Sequence, residues 1–87
     1  MDVRYRCTKN VEVFGAPEGW SLRPANSDQA SSIVATKIAV VRDGADCFLI
    51  IHPDGFSQSD YHYSNVGEAL IGANALLGIT KSDWDNR

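Results

Sequence analysis

The sequence has little cysteine and no long apolar run, and each shortage excludes a class of protein. Among its 87 residues only Cys7 and Cys47 are cysteines, too few for the disulfide framework of a small secreted domain. We expect both to be reduced and buried, although one bridge between them stays open at this point. No apolar stretch approaches the roughly 20 residues that span a bilayer, and the first residues lack the apolar segment of a secretory signal. The cytosol is therefore the expected compartment.

Recognisable metal, phosphate and catalytic motifs are also missing. The potential metal ligands are Cys7, Cys47, His52 and His62. No two of them have the spacing of about two to four residues that marks most zinc sites, and the glycines match neither GxGxxG nor a P-loop. The two histidines flank a Pro-Asp-Gly turn, where polar residues are usually structural rather than acid–base catalysts. We predict no metal, no cofactor and no enzymatic activity.

Charge is distributed unevenly along the chain. Residues 1–42 carry six basic and four acidic side chains, a balance of +2, whereas residues 43–87 carry two basic and seven acidic ones, a balance of −5. The net charge is −3 and the isoelectric point is near 5.1. An acidic C-terminal half does not match the electrostatic footprint of nucleic-acid binding. It predicts a protein partner with a basic surface.

Residues 64–78 predict an amphipathic helix. Apolar side chains recur there at spacings of three and four, Asn65 and Glu68 stand in capping-box relation, and Gly78 occupies the stop position. Gly67 and Gly72 within this helix would let it approach the sheet closely. After Gly78, Thr80 is expected to cap a short turn.

Alternating or β-branched runs predict strands over most of the preceding chain. Residues 3–7 and 11–14 are expected to form a hairpin, after which the chain returns to the sheet at Trp20 and Leu22. The segment 27–41 fits a helix at its start, but its β-branched residues favour a strand over 32–42. Residues 47–52 resemble a central strand covered on both faces. The last expected strand covers residues 56–63.

These elements predict an α+β fold in a single domain of residues 1–87. It would have an antiparallel sheet of four or five strands in hairpin order, with one C-terminal amphipathic helix packed on one face. One helix cannot cover both faces of such a sheet. The second face or an edge strand would then be free for partner binding or for a homodimer.

Two sets of residues are candidates for binding. The first is an acidic and aromatic surface in the C-terminal half, because tyrosine and tryptophan are enriched at energetic centres of protein interfaces. Its members are Asp54, Asp60, Tyr61, His62, Tyr63, Asp83, Trp84 and Asp85. The alternative is an RNA- or single-strand-binding site on the basic N-terminal strand, formed by Arg4, Tyr5, Arg6 and Lys9.

In size and charge the chain resembles the small regulators and inhibitors carried by phages and other mobile elements, including anti-CRISPR proteins. The likeness extends to no residue motif, so no residue role is carried over from it. It implies a small regulator or inhibitor that acts by blocking or bridging a protein partner. That is the function expected from the sequence, with nucleic-acid binding as the alternative.

Overall fold

The computed structural model describes residues 1–85. Four strands are followed by one α-helix and a short 3₁₀-helix. The strands are β1 (Asp2–Phe14), β2 (Ser31–Asp43), β3 (Asp46–Pro53) and β4 (Ser59–Tyr63); the helices are α1 (Val66–Leu77) and η1 (Lys81–Asp83). The sheet is antiparallel in the order β1-β2-β3-β4. The predicted α+β class, hairpin order and C-terminal helix are thus confirmed.

The turns and caps that separate these elements follow the sequence. Gly44, at φ 64°, lies in the tight turn between β2 and β3, and Gly55, at φ 81°, lies in the turn after β3. Helix α1 begins where the Asn65 side chain accepts a hydrogen bond from the Glu68 backbone N–H at 2.9 Å. It ends at Gly78, whose φ of 67° is left-handed and favours glycine.

The predicted N-terminal hairpin is wrong, because β1 continues through the expected link at residues 8–10. β2 is equally long and pairs with β1 from Asp2↔Arg42 to Phe14↔Ser31, so it supplies hydrogen-bond partners along the whole strand. The link contains no glycine or proline that would stop a strand. The only irregularity in this ladder is a register shift between Val3 and Tyr5. The return at residues 20–22 is a single bridge, Phe14↔Ser21.

One face of the sheet packs against α1 and forms the core. Strand residues two apart point to the same face, so this face is set by the register of Cys7, Ile38 and Ile51. Helix α1 contacts β2, β3 and β4. The buried members of the core are Cys7, Ile38, Val40, Leu49, Ile51, Ala69, Ala73 and Ile79. None of the helices found within residues 1–85 is long and apolar enough to cross a membrane.

The segment after α1 extends the cover to β1. Trp84 packs against this core with its ring 5.8 Å from that of Tyr5, and Lys9 Nζ lies 3.3 Å from the Asp83 carboxylate. The backbone N–H of Asp85 donates to the carbonyl of Arg6 at 2.8 Å. The expected turn capped by Thr80 is therefore present, and it shields part of an edge strand.

The prediction that β3 is covered on both faces is wrong. Cys47, Leu49 and Ile51 are buried toward α1, whereas Phe48 and Ile50 point to the other side and are only half-buried. Two sets of apolar side chains therefore alternate along β3. One set of side chains fills the core, and the other lines a second surface of the sheet.

Candidate functional site

The sheet face opposite α1, here called the open face, is organised as cross-strand rows. Three rows follow β2 in order: Val3–Val41–Phe48–His62, then Arg6–Ala39–Ile50–Asp60, then Thr8–Lys37–His52. Successive rows are about 6.6 Å apart, since a strand rises about 3.3 Å per residue. Apart from Val41, these side chains are exposed or half-buried. The open face is therefore a sheet surface that α1 does not cover.

A groove runs over β2 because that strand carries small residues on the open face. Ala35 and Ala39 flank Lys37 two positions away on either side. The hollow beside Ala39 has a volume of about 790 Å³ and is walled by Arg6, Thr8, Ile50 and His52. A second hollow of about 320 Å³ lies beside Ala35 and shares Thr8, Lys37 and His52 with the first. Together they form one groove, divided by the lysine.

Basic side chains are concentrated in this groove. Arg6, Lys37 and His52 line the larger hollow, and Lys37 and His52 also line the smaller one. No salt bridge found within residues 1–85 involves any of these three side chains. Carboxylates line the hollows as well: Asp85 the larger and Asp54 the smaller. The groove therefore combines two cationic side chains that enter no salt bridge within residues 1–85, Arg6 and Lys37, with two carboxylates.

An aromatic pair occupies the neighbouring part of the open face. The rings of Phe48 and His62 meet edge to face with centroids 5.3 Å apart. His62 Nε2 lies 2.9 Å from an Asp46 carboxylate oxygen, and both side chains are exposed. This row adds apolar and aromatic area beside the groove.

Comparisons of the chain with protein-family models, with curated proteins and with solved structures find no match. Along the strands of its open face, charged, small and half-buried apolar side chains stand next to one another.

The predicted acidic and aromatic residues do not form one surface. Asp60 and His62 lie on the open face, and Asp54 and Asp85 line the groove. The other four members lie on the core side of the sheet. Tyr61, Tyr63 and Trp84 pack against the core, and Asp83 is hydrogen-bonded to Thr80 and Lys9.

The alternative basic cluster is also divided by the alternation of β1. Arg6 points into the groove, whereas Tyr5 packs beside Trp84 and Lys9 pairs with Asp83 on the other face. Arg4 lies at the register shift, 3.7 Å from the Asp2 carboxylate. Of the four predicted nucleic-acid ligands, only Arg6 lines the groove.

The cysteines and histidines lie on opposite faces of the sheet. Cys7 and Cys47 are free and buried toward α1, whereas His52 and His62 are exposed on the open face. Among residues 1–85, no three or more His, Cys, Asp or Glu side chains are grouped so that they could hold a metal ion. Burial raises the pKa of the Cys7 thiol, as do the nearby carboxylates of Asp85 and Asp83. That thiol is held in its protonated, poorly nucleophilic form.

Sequence reasoning missed Lys37, Ala39, Phe48 and Ile50 as surface residues. The pattern that identifies them is the period of two in AxKxA on β2 and in FxIxH on β3. Read by alternation, each strand separates into a core set and an open-face set. The unbroken apolar run from residue 47 to 51 concealed this division.

Asp83 is expected to make the stability of the fold depend on acid pH. Its carboxylate accepts hydrogen bonds from the Thr80 backbone N–H at 2.7 Å and the Thr80 hydroxyl at 2.9 Å. The backbone hydrogen bond from Thr80 is the main reason that the pKa of Asp83 lies below its ordinary value of 3.8, and Lys9 lowers it further. Because the pKa of Asp83 is lower in the folded state, its ionised carboxylate stabilises the fold at pH values above the ordinary pKa. This contribution is lost as the pH falls through the folded-state pKa.

Urea unfolding of wild type and Asp83→Asn at several pH values tests this expectation. The variant should be less stable by a constant amount above about pH 5, and the difference should shrink as the pH falls below about 4. A difference that stays constant down to pH 2 would mean that ionisation of Asp83 contributes nothing.

Proposed function

We propose that this chain is a small non-enzymatic protein-binding module, a regulator or inhibitor, which contacts its partner through the open face. The supporting observation is the half-buried apolar pair Phe48 and Ile50 on the side of the sheet opposite α1. Apolar centres with polar surroundings are typical of protein interfaces. Lys37, His52, Asp60 and His62 provide those polar surroundings.

The positions of the charges favour an acidic rather than a basic partner surface. The expectation of a basic partner came from the acidic residues of the C-terminal half. In the structure Asp83 is already bonded to Thr80 and Lys9. Arg6 and Lys37 instead line the hollow beside Ile50 and enter no salt bridge within residues 1–85. Complementary potentials guide encounter and suppress wrong partners.

Affinity capture of tagged protein from its native cells, with nuclease treatment and salt washes, tests this function. We expect a protein partner that survives nuclease and is retained by wild type. Ile50→Thr should reduce its recovery severalfold, because the substitution keeps a β-branched side chain but removes apolar contact area. Ile71→Thr, on the exposed outer side of α1, is the matched control and should retain the partner.

Two results would count against the proposal. If the captured partner is lost on nuclease treatment, the ligand is nucleic acid. The logarithm of the binding constant for that nucleic acid should then fall linearly with the logarithm of the salt concentration. Equal recovery of a protein by both isoleucine variants would move the interface away from the open face.

A further inference from the structure

We propose that the groove over β2 binds a segment of the partner protein in which acidic side chains flank an apolar one. This inference rests on the proposed function and specifies the chemistry of the partner at the same surface. The observations behind it are the two cationic side chains of Arg6 and Lys37, the small residues beneath them and the apolar wall at Ile50.

The cationic side chains lie where two carboxylates of one segment could reach them. Lys37 stands between Thr8 and His52 in one row, and Arg6 belongs to the next row on the same face. An arginine can bind a carboxylate through two parallel N–H donors, and charge-assisted hydrogen bonds are stronger than neutral ones. Since Arg6 and Lys37 enter no salt bridge within residues 1–85, no intramolecular ion pair among these residues must break when the segment binds.

The larger hollow provides a place for the apolar side chain. Its floor is Ala39, whose methyl group leaves space that a longer residue would fill, and Ile50 forms a wall. At about 790 Å³ the hollow is large enough for a side chain of leucine size together with its backbone. An apolar anchor flanked by charges would therefore match the groove in both shape and polarity.

Charge around the groove favours a protein segment over a nucleic acid. A nucleic-acid strand carries phosphates along its whole length and selects a continuous basic stripe. Here Arg6 and Lys37 share the groove with the carboxylates of Asp85 and Asp54, and Asp60 lies beside Ile50. A nucleic-acid strand, with a phosphate at every step, would place some of its phosphates against these carboxylates. A short protein segment can instead place its two carboxylates against Arg6 and Lys37.

NMR titration of the labelled protein with three defined probes tests the inference. The probes are a synthetic peptide with a central leucine flanked by aspartates, its counterpart with lysines, and oligothymidylate. We expect the aspartate peptide to shift the backbone amides of Arg6, Lys37, Ala39 and Ile50, and the other two probes to leave them unchanged. Lys37→Glu should raise the dissociation constant of the aspartate peptide by at least about tenfold, because it places like charges together.

Lys81→Glu is the charge-matched control, because Lys81 is exposed in η1 and lines a different depression, beside Trp84. It should bind the aspartate peptide as wild type does, and thermal melting should show both variants to be folded. The inference is overturned if the aspartate peptide leaves the groove amides unmoved, if both variants bind it equally, or if oligothymidylate shifts these amides instead. A dimer of the free protein that Lys37→Glu dissociates would assign the groove to a second copy of the chain.

The two proposals can fail separately. If affinity capture recovers a protein that depends on Ile50 while the aspartate peptide does not bind, the acidic-segment inference falls and the binding function stands. If capture recovers no protein, the proposed function falls and the inference falls with it.

Discussion

Leu49→Ala should destabilise the protein by about 3 kcal/mol, because it removes buried methyl groups and leaves a cavity in a densely packed core. Leu49 is fully buried on β3 and belongs to the same core cluster as Ala69 and Ala73 of α1. Those small helix residues cannot move far enough to fill the space. For a domain of this size the loss corresponds to a fall in melting temperature of about 15 °C.

Ile71→Ala is the control for Leu49→Ala, since Ile71 lies on α1 with 70% of its surface exposed. Its effect on the free energy of unfolding should be within about 0.5 kcal/mol of zero. Chemical denaturation of the two variants measures both values. Similar losses for the two would contradict the assignment of the sheet face that α1 covers.

Gly72→Ala should destabilise the protein by about 1–2 kcal/mol, although alanine is the better helix former. A methyl group at this position would overlap the phenol ring of Tyr63 and approach its Cε1 to 2.8 Å. Tyr63 lies on the helix-facing side of β4 and packs against the core. The helix can approach the sheet this closely only because residue 72 has no side chain. The clash that alanine would introduce therefore outweighs its gain in helix propensity.

Gly67→Ala is the control that separates the effect of this clash on stability from the effect of helix propensity. The same helix carries Gly67, where an added methyl would lie 3.3 Å from the Asn65 side-chain oxygen that caps the helix. The tight contact at the cap offsets part of the gain in helix propensity, so that substitution should lie within about 0.5 kcal/mol of neutral. In a Tyr63→Leu background the cost of Gly72→Ala should largely disappear, which a double-mutant cycle measures. If both glycine variants stabilise the wild-type background, α1 does not lie against Tyr63 as described.

Elements with strong local determinants could be predicted from the sequence. Helix α1 has its Asn65 cap and its left-handed Gly78, and the turn after β2 has its glycine at positive φ. In each case a few neighbouring residues fix the backbone. The order of β2, β3 and β4 follows, because short turns join antiparallel neighbours.

Features that depend on distant partners could not be predicted in the same way. β1 runs through residues 8–10 only because a partner strand of equal length pairs with it. The groove likewise depends on register, which brings Arg6 of β1, Lys37 of β2 and His52 of β3 to one place. These residues are far apart in the chain, and no local pattern specifies their pairing. The predicted binding residues were divided between faces for a different reason, the alternation of side chains along β1 and β4.

Photo-crosslinking from opposite sides of the molecule tests whether the open face is the binding surface. A photoreactive amino acid in place of Ile50 on the open face, or in place of Ile71 on the outer side of α1, would be irradiated in the native cells. We predict cross-links to a protein from position 50 and none from position 71. Cross-links from position 71 alone would contradict binding by the open face and assign it to the outer side of α1.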